Sequence, residues 1–251
     1  MTAENIRSRK NPYIAHIRLL AADGEYRRSR REYLCDGMKL LREAVSSGAE
    51  VLSVLWRERP GEAEGTEEAR HYAVPAELFD YASPMKNSPG PVFTLRMPEA
   101  EIAGTVSCAL ALENVQDPGN VGTVIRTADA LGIDAVVLCG DCADLYSPKT
   151  ARATMGAIFR QRVLRTDIPG LQALARRSGL PLYGAALSES AEDIRRLDVK
   201  SALVAVGSEG RGLSGELLAL CDRRLIIPMS PRSESLNAAA AATVIMWEMK
   251  R

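Results

Sequence analysis

Residues 106–139 read VSCALALENVQDPGNVGTVIRTADALGIDAVVLC, where the densest polar cluster of the chain interrupts its densest apolar pattern. Residues 106–112 and 135–139 are unbroken apolar runs of strand length. Runs without alternation suit strands buried on both faces of a parallel sheet. Between them Val121, Val124, Ile125, Ala128 and Leu131 recur at helical spacing, with Asn120 predicted as the N-cap and Gly132 as the C-cap. The stretch is therefore a β-loop-α-β unit. Its loop, residues 113–120, follows the carboxyl end of a strand, where open α/β sheets place their ligands. Asn114, Asp117, Asn120 and Arg126 fall within thirteen positions there. Each alone reads as turn chemistry or a solvated arginine, but the four together point to a site.

Two stretches downstream extend this reading. VGSEGRGLS at 206–214 directly follows an apolar run, so Gly207, Gly210 and Gly212 let the backbone approach a ligand closely, and Glu209 brings a carboxylate to the same sheet edge. IIPMSPRSESLNAAAAA at 226–242 leads into a final helix, predicted from Ser235 to Lys250, whose five successive alanines at 238–242 offer a slim packing face. Together with NVQDPGNVGTVIRTADALG at 114–132, these stretches resemble, in order, the three signatures of the SpoU (TrmH) family. That family comprises RNA ribose 2′-O-methyltransferases of the knotted SPOUT superfamily. Three ordered motifs are specific where one glycine-rich loop would be weak.

The resemblance implies an α/β fold in which residues 106–251 form a trefoil-knotted, parallel-sheet methyltransferase domain that uses S-adenosylmethionine. It implies that Gly207, Ile227 and Leu236, with Leu187 and Met229, line the cofactor pocket. It also implies that Arg126 activates the ribose, supported by Asn120, Glu209, Ser235 and Asn237. A ribose hydroxyl is a poor nucleophile until it is oriented and its developing charge stabilised. A guanidinium stays protonated, so Arg126 is expected to bind the adjacent phosphate or developing alkoxide, although the resemblance also admits a role as base. The family often has Gly where this chain has Pro231, so the loop before Ser235, and with it the substrate approach, is expected to differ. A homodimer through the C-terminal knot region is likewise implied, and the apolar residues around much of the final helix, out to Trp247, call for a covering surface.

Upstream, EYLCDGMKLLREAV at 32–45 and VLSVLW at 51–56 read as strand, helix and strand. They resemble the small substrate-binding domain, related in fold to some ribosomal proteins, that precedes the catalytic domain in many of these enzymes. Residues 1–98 are accordingly expected to form an RNA substrate-binding domain, joined by a linker at 97–105. Residues 59–70 read as an exposed acidic loop and 74–81 as a helix. Residues 1–31 carry eight basic side chains against three acidic ones, which is a phosphate footprint or, equally, a solvated helix and loop. Lys149, Arg152 and Arg160 admit the same two readings.

The whole chain narrows the remaining classes. Its 251 residues, 46% hydrophobic and 25% charged, suit a soluble globular protein of two domains without a membrane span. The N-terminus lacks the apolar core of a signal peptide, so the cytoplasm is the default compartment. A net charge of zero leaves affinity for polyanions to charge distribution. Cys139 and Cys142 form a lone CxxC with no second pair, so no metal is expected. Both histidines lie outside the motifs, and neither a Walker A loop nor a GxGxxG fingerprint occurs. The first domain favours ribosomal RNA as substrate. The alternatives are transfer RNA, or a catalytically silent RNA-binding protein of the same fold.

Overall fold

The computed structural model describes residues 3–98, 104–188, 190–230, 232 and 235–251. The chain forms two compact units, and they do not follow a single cut in the sequence. Residues 3–98 associate with Asp144–Phe159, and residues 104–143 with Arg160–Arg251.

In the first unit the elements are β1 (Glu4–Asn5), α1 (Pro12–Ala22), α2 (Gly24–Arg30), β2 (Glu32–Asp36), α3 (Met38–Ser46), β3 (Val51–Arg57), β4 (Arg70–Val74), α4 (Ala76–Ala82) and β5 (Val92–Arg96). The sheet order is β1-β4-β3-β5-β2, with β5 antiparallel to both neighbours. The expected strand-helix-strand is therefore present, but β5 separates its two strands. Alternation along each strand sends side chains to opposite faces. Leu34, Leu55 and Val92 face α1 and α4, in a cluster with Ile14, Ile17, Leu20 and Phe79. Tyr33, Cys35, Val54, Trp56 and Phe93 face Leu40, Leu41 and Ala44 of α3 and also Ala151. β4 occupies the boundary between the predicted acidic loop and helix.

The second unit contains β6 (Ala109–Glu113), α5 (Pro118–Leu131) and β7 (Ala135–Cys139), after which the chain passes through α6 (Pro148–Ala153) of the first unit. It continues with β8 (Val163–Thr166), α7 (Ile168–Ser178), β9 (Leu182–Ala185), β10 (Glu192–Asp193), β11 (Leu203–Gly207), α8 (Gly215–Leu220), β12 (Arg223–Ile226) and α9 (Ala238–Lys250). The sheet order is β10-β12-β9-β11-β6-β7-β8, and its pairings are parallel. All five residues of β6, β7 and β11 are buried, as their unalternating apolar runs predict. One face carries Ala109, Ala111, Val137 and Ala205 against Leu171, Leu174 and Leu217 of α7 and α8. On the other side α5 and α9 pack on each other, with contacts to β7 and β11 respectively. Small buried residues, Gly122 on α5 and Ala238, Ala239 and Ala242 on α9, suit that close pairing.

The helix ends correct two expectations. Asp117 caps α5, its side chain accepting from the Asn120 amide at 2.8 Å, so Asn120 sits inside the first turn. Gly132 ends the helix at φ 67° as expected. α9 starts at Ala238 rather than Ser235, with Asn237 as its cap.

A candidate methyl-transfer site

The chain order of the second sheet reverses direction at its centre. From β6 it proceeds outward to β7 and β8, whereas β11 and β9 lie on the other side of β6. A ligand site is expected beyond the carboxyl ends of strands at such a switch. A cavity of about 410 Å³ lies beside it, at the carboxyl ends of β9, β11 and β12, lined by Ala185, by Val206 and the 207–213 loop, and by Ile226, Ile227 and Met229. All five cofactor candidates, Leu187, Gly207, Ile227, Met229 and Leu236, line it, as do Glu209 and Ser235. Leu187 and Leu236 are the exposed apolar side chains of its rim.

The loop after β11 is held at both ends. Ser208 and Gly212 bridge, the Gly212 amide donating to the Ser208 carbonyl at 2.8 Å. This fold leaves Gly207 no room for a side chain, because a Cβ would lie 2.0 Å from the Gly212 carbonyl carbon. At the far end Glu113, 2% exposed and paired in register with Gly207, accepts from Ser214 through its amide at 2.7 Å and its hydroxyl at 2.6 Å. The Ser214 hydroxyl in turn caps α8. In the sequence Glu113 reads only as the first residue of the loop after an apolar run, and its partner is 101 positions away.

Three of the five catalytic candidates converge. Glu209 Oε1 accepts from Asn120 Nδ2 at 2.8 Å, from Asn237 Nδ2 and from the Ala238 amide at 3.3 Å. Asn237 Nδ2 also donates to Asn120 Oδ1 at 3.1 Å, while its own Oδ1 caps α9 through the amides of Ala239 and Ala240. Ser235 shares the cavity wall with Glu209. Arg126 does not join them. Among the described residues it makes no hydrogen bond or ion pair, and it lines a separate groove with Thr127, Ala130, Leu131, Thr243, Val244 and Trp247. Pro231, expected to alter the loop before Ser235, lies outside the described residues.

Other polar positions prove structural. Asn114 adopts φ 54° and its Oδ1 accepts from the Asp141 amide at 2.8 Å, tying the loop after β7 in place. Arg160 pairs with Asp129 at 3.0 Å. Arg27, expected in the basic surface run, is buried and meets Asp144 at 2.5 Å. The Cys142 thiol donates to the Leu112 carbonyl at 3.2 Å, and burial pushes the Cys139 thiol up to about 11, which disfavours a thiolate ligand. Arg211 was overlooked. It lines the cavity between Gly210 and Gly212, where its position inside GSEGRG was the available signal.

The family model described as SpoU rRNA Methylase matches residues 107–247. The chain is 32% identical over 250 residues to the 23S rRNA (guanosine(2553)-2′-O)-methyltransferase RlmP of Bacillus subtilis, covering 98% of this chain and 99% of that protein. In structure it is similar to an AdoMet-bound rRNA methyltransferase from Sinorhizobium meliloti, with a TM-score of 0.89 and 26% identity over 99% of this chain and 98% of that one. It is also similar to the SpoU methyltransferase AviRb from Streptomyces viridochromogenes in complex with AdoMet, with a TM-score of 0.83 and 28% identity over 96% and 98% of the two chains. A glycine-dependent cavity beside the sheet switch point, with Glu209 on its wall bonded to Asn120 and Asn237 from the two other motifs, stands within the matched segment, and the chain belongs to the SpoU rRNA Methylase family.

Proposed function

We propose that the protein transfers a methyl group from S-adenosylmethionine to a ribose 2′-hydroxyl of ribosomal RNA. The observation that carries this reading is the Asn120–Glu209–Asn237 network at the edge of the apolar cavity. The cavity is in the size range of small-molecule sites and is apolar with a few polar groups on one side. That donor set fits S-adenosylmethionine, with Leu187, Ile227, Met229 and Leu236 for its apolar surface and the backbone beyond Gly207 for its polar edges. The bound cofactor supplies an electrophilic methyl group. Glu209, fixed through Oε1, keeps Oε2 for the ribose hydroxyl, which it orients by accepting a hydrogen bond. Asn120 and Asn237 hold the carboxylate in that attitude, and Ser235 adds a hydroxyl on the same wall.

In this reading Arg126 binds the adjacent phosphate or developing alkoxide, and it does so from a homodimer. Val244 and Trp247, 37% and 60% exposed, line the α5–α9 groove together with Arg126. Pairing through that groove would cover apolar surface and carry Arg126 into the interface. The trefoil knot belongs with this arrangement, α9 being its threaded segment, and the first unit serves as the RNA-binding domain of a cytoplasmic enzyme. The relatives named as 23S rRNA 2′-O-methyltransferases support ribosomal over transfer RNA.

The test is tritium transfer from labelled S-adenosylmethionine to 23S ribosomal RNA and to transfer RNA, followed by nucleoside analysis. A labelled 2′-O-methylnucleoside from 23S RNA is expected, and base methylation or no transfer would refute the reading. Light scattering is expected to give twice the chain mass of 27.2 kDa, and Trp247→Glu to reduce it to one.

A further inference from the structure

The first unit carries a cationic feature that the catalytic reading does not use. Arg9, in the turn before α1, and Arg18, on α1, both hold their guanidinium groups over the ring of Tyr81 on α4, at 4.7 and 4.0 Å from its centroid. The packing of α1 on α4 creates this arrangement. Both arginines are exposed, and neither makes an ion pair among the described residues. The adjacent carboxylate, Asp80, is engaged by Arg57 in a two-pronged contact at 2.5 and 3.1 Å, and Glu77, one turn earlier on α4, pairs with neither arginine among the described residues. Two like charges therefore share one ring, and neither is paired with an anion among the described residues. Contact with the ring restrains each guanidinium group and leaves N–H groups for an external acceptor, chemistry that suits phosphate oxygens. Lys10 extends the positive surface, and Leu19, 44% exposed beside Arg18, adds an apolar contact of the kind a ribose or base accepts.

We infer that Arg9, Tyr81 and Arg18 form a docking site for the phosphodiester backbone of the RNA substrate. Two adjacent phosphates are its ligand, and the ring acts as the brace that holds both cations. This assignment rests on the proposed RNA-methylating function and adds to it the place where the first unit grips its substrate. Of the basic side chains in residues 1–31, Arg27 is buried against Asp144 and leaves that surface, whereas Arg9 and Arg18 meet on one ring.

The experiment uses full-length wild-type protein, Arg9→Ala/Arg18→Ala, Tyr81→Phe and Tyr81→Leu. Each is assayed for methyl transfer to in vitro transcribed 23S ribosomal RNA and for binding to it between about 0.05 and 0.2 M salt. Losing two phosphate contacts should make the dependence of log affinity on log salt shallower by about 1.5. The KM for RNA should rise roughly tenfold at about 0.1 M salt, with kcat at saturating RNA unchanged. Tyr81→Phe should match wild type, and Tyr81→Leu should fall between wild type and the double variant. A double variant with wild-type salt slope and KM, or one that lowers kcat instead, overturns the docking site. Tyr81→Leu indistinguishable from wild type overturns the brace. If wild type binds anionic phospholipid vesicles in an arginine-dependent way but not the RNA, the RNA assignment is overturned. If wild type neither binds nor methylates RNA, the functional reading itself fails and the docking site with it.

Discussion

Asn237 performs two separable tasks, and its substitution tests whether the Glu209 network is catalytic. Its Oδ1 caps α9 at the amides of Ala239 and Ala240, and its Nδ2 donates to Glu209 and Asn120. Serine at this position keeps a capping oxygen and loses the Nδ2 donor that reaches Glu209 and Asn120, whereas alanine loses both. The cap contributes about 1 kcal/mol, which for a domain of this size moves Tm by roughly 2–4 °C. A hydrogen bond to a charged group contributes about 1.5–3 kcal/mol, and the exposure of Glu209 argues for the low end, which corresponds to about a tenfold loss in rate. Asn237→Ser should therefore melt like wild type and lower kcat/KM at least tenfold. Asn237→Ala should show the same kinetic loss and melt a few degrees lower. Asn237→Asp keeps the cap but places a second carboxylate against Glu209, so its activity should be the lowest of the three. The measurements are thermal melts by circular dichroism and tritium transfer from S-adenosylmethionine. Asn237→Ser with activity within twofold of wild type would show that the network is only structural. Equal melting of the serine and alanine variants would remove the capping argument.

Gly207→Ala places a Cβ 2.0 Å from the Gly212 carbonyl carbon and must displace the cavity loop, so titration calorimetry should find the Kd for S-adenosylmethionine raised roughly tenfold or more. Gly215→Ala, whose Cβ meets nothing within 4 Å, is the control and should bind normally. Arg27→Met strands Asp144 and frees the Leu20 carbonyl, which the Arg27 guanidinium holds at 2.6 Å. The cost should be about 3 kcal/mol, a Tm drop of roughly 6–12 °C in the first unit's transition, and an unchanged melt would contradict it. Burial works to raise the Asp134 carboxyl, but the Ser107 amide and hydroxyl, at 2.7 and 2.6 Å, hold it below the usual aspartate range. A carboxyl lowered in the folded state stabilises above its unfolded pKa of about 3.9, and that contribution is lost as pH falls through the folded value. Ser107→Ala should therefore be less stable by at most about 1 kcal/mol at neutral pH, the two melts converging in acid; a gap that widens in acid would refute the sign.

Period and punctuation made the second sheet legible, because buried parallel strands leave long apolar runs and the glycine-rich loops fall at their carboxyl ends. The Asp-Pro pair at 117–118 also contained the correct start of α5, since proline favours the first helical position and leaves the preceding Asp as cap. Overlooking it assigned Asn120 a capping role, when its position inside the first turn is what frees its amide for Glu209. β4 escaped because RHYAV opens with an arginine and a histidine, although His71 is buried and accepts from the Trp56 indole at 2.9 Å. Arg27 escaped for a different reason. A run of basic residues reads as solvated unless its partner is known, and Asp144 is 117 positions away. The same distance hides the division of the chain. Composition can place a linker at 97–105, but it cannot reveal that Asp144–Phe159 returns to the first unit. There Arg27 holds Asp144, the Tyr33 and Tyr146 rings lie 4.7 Å apart, and Ala151 is buried with Ile158 and Phe159 packed around the same core. Simply deleting residues 1–98 would strip these side chains of their partners and leave an apolar segment exposed within the remainder. A catalytic unit fit for study alone must therefore also lose residues 144–159.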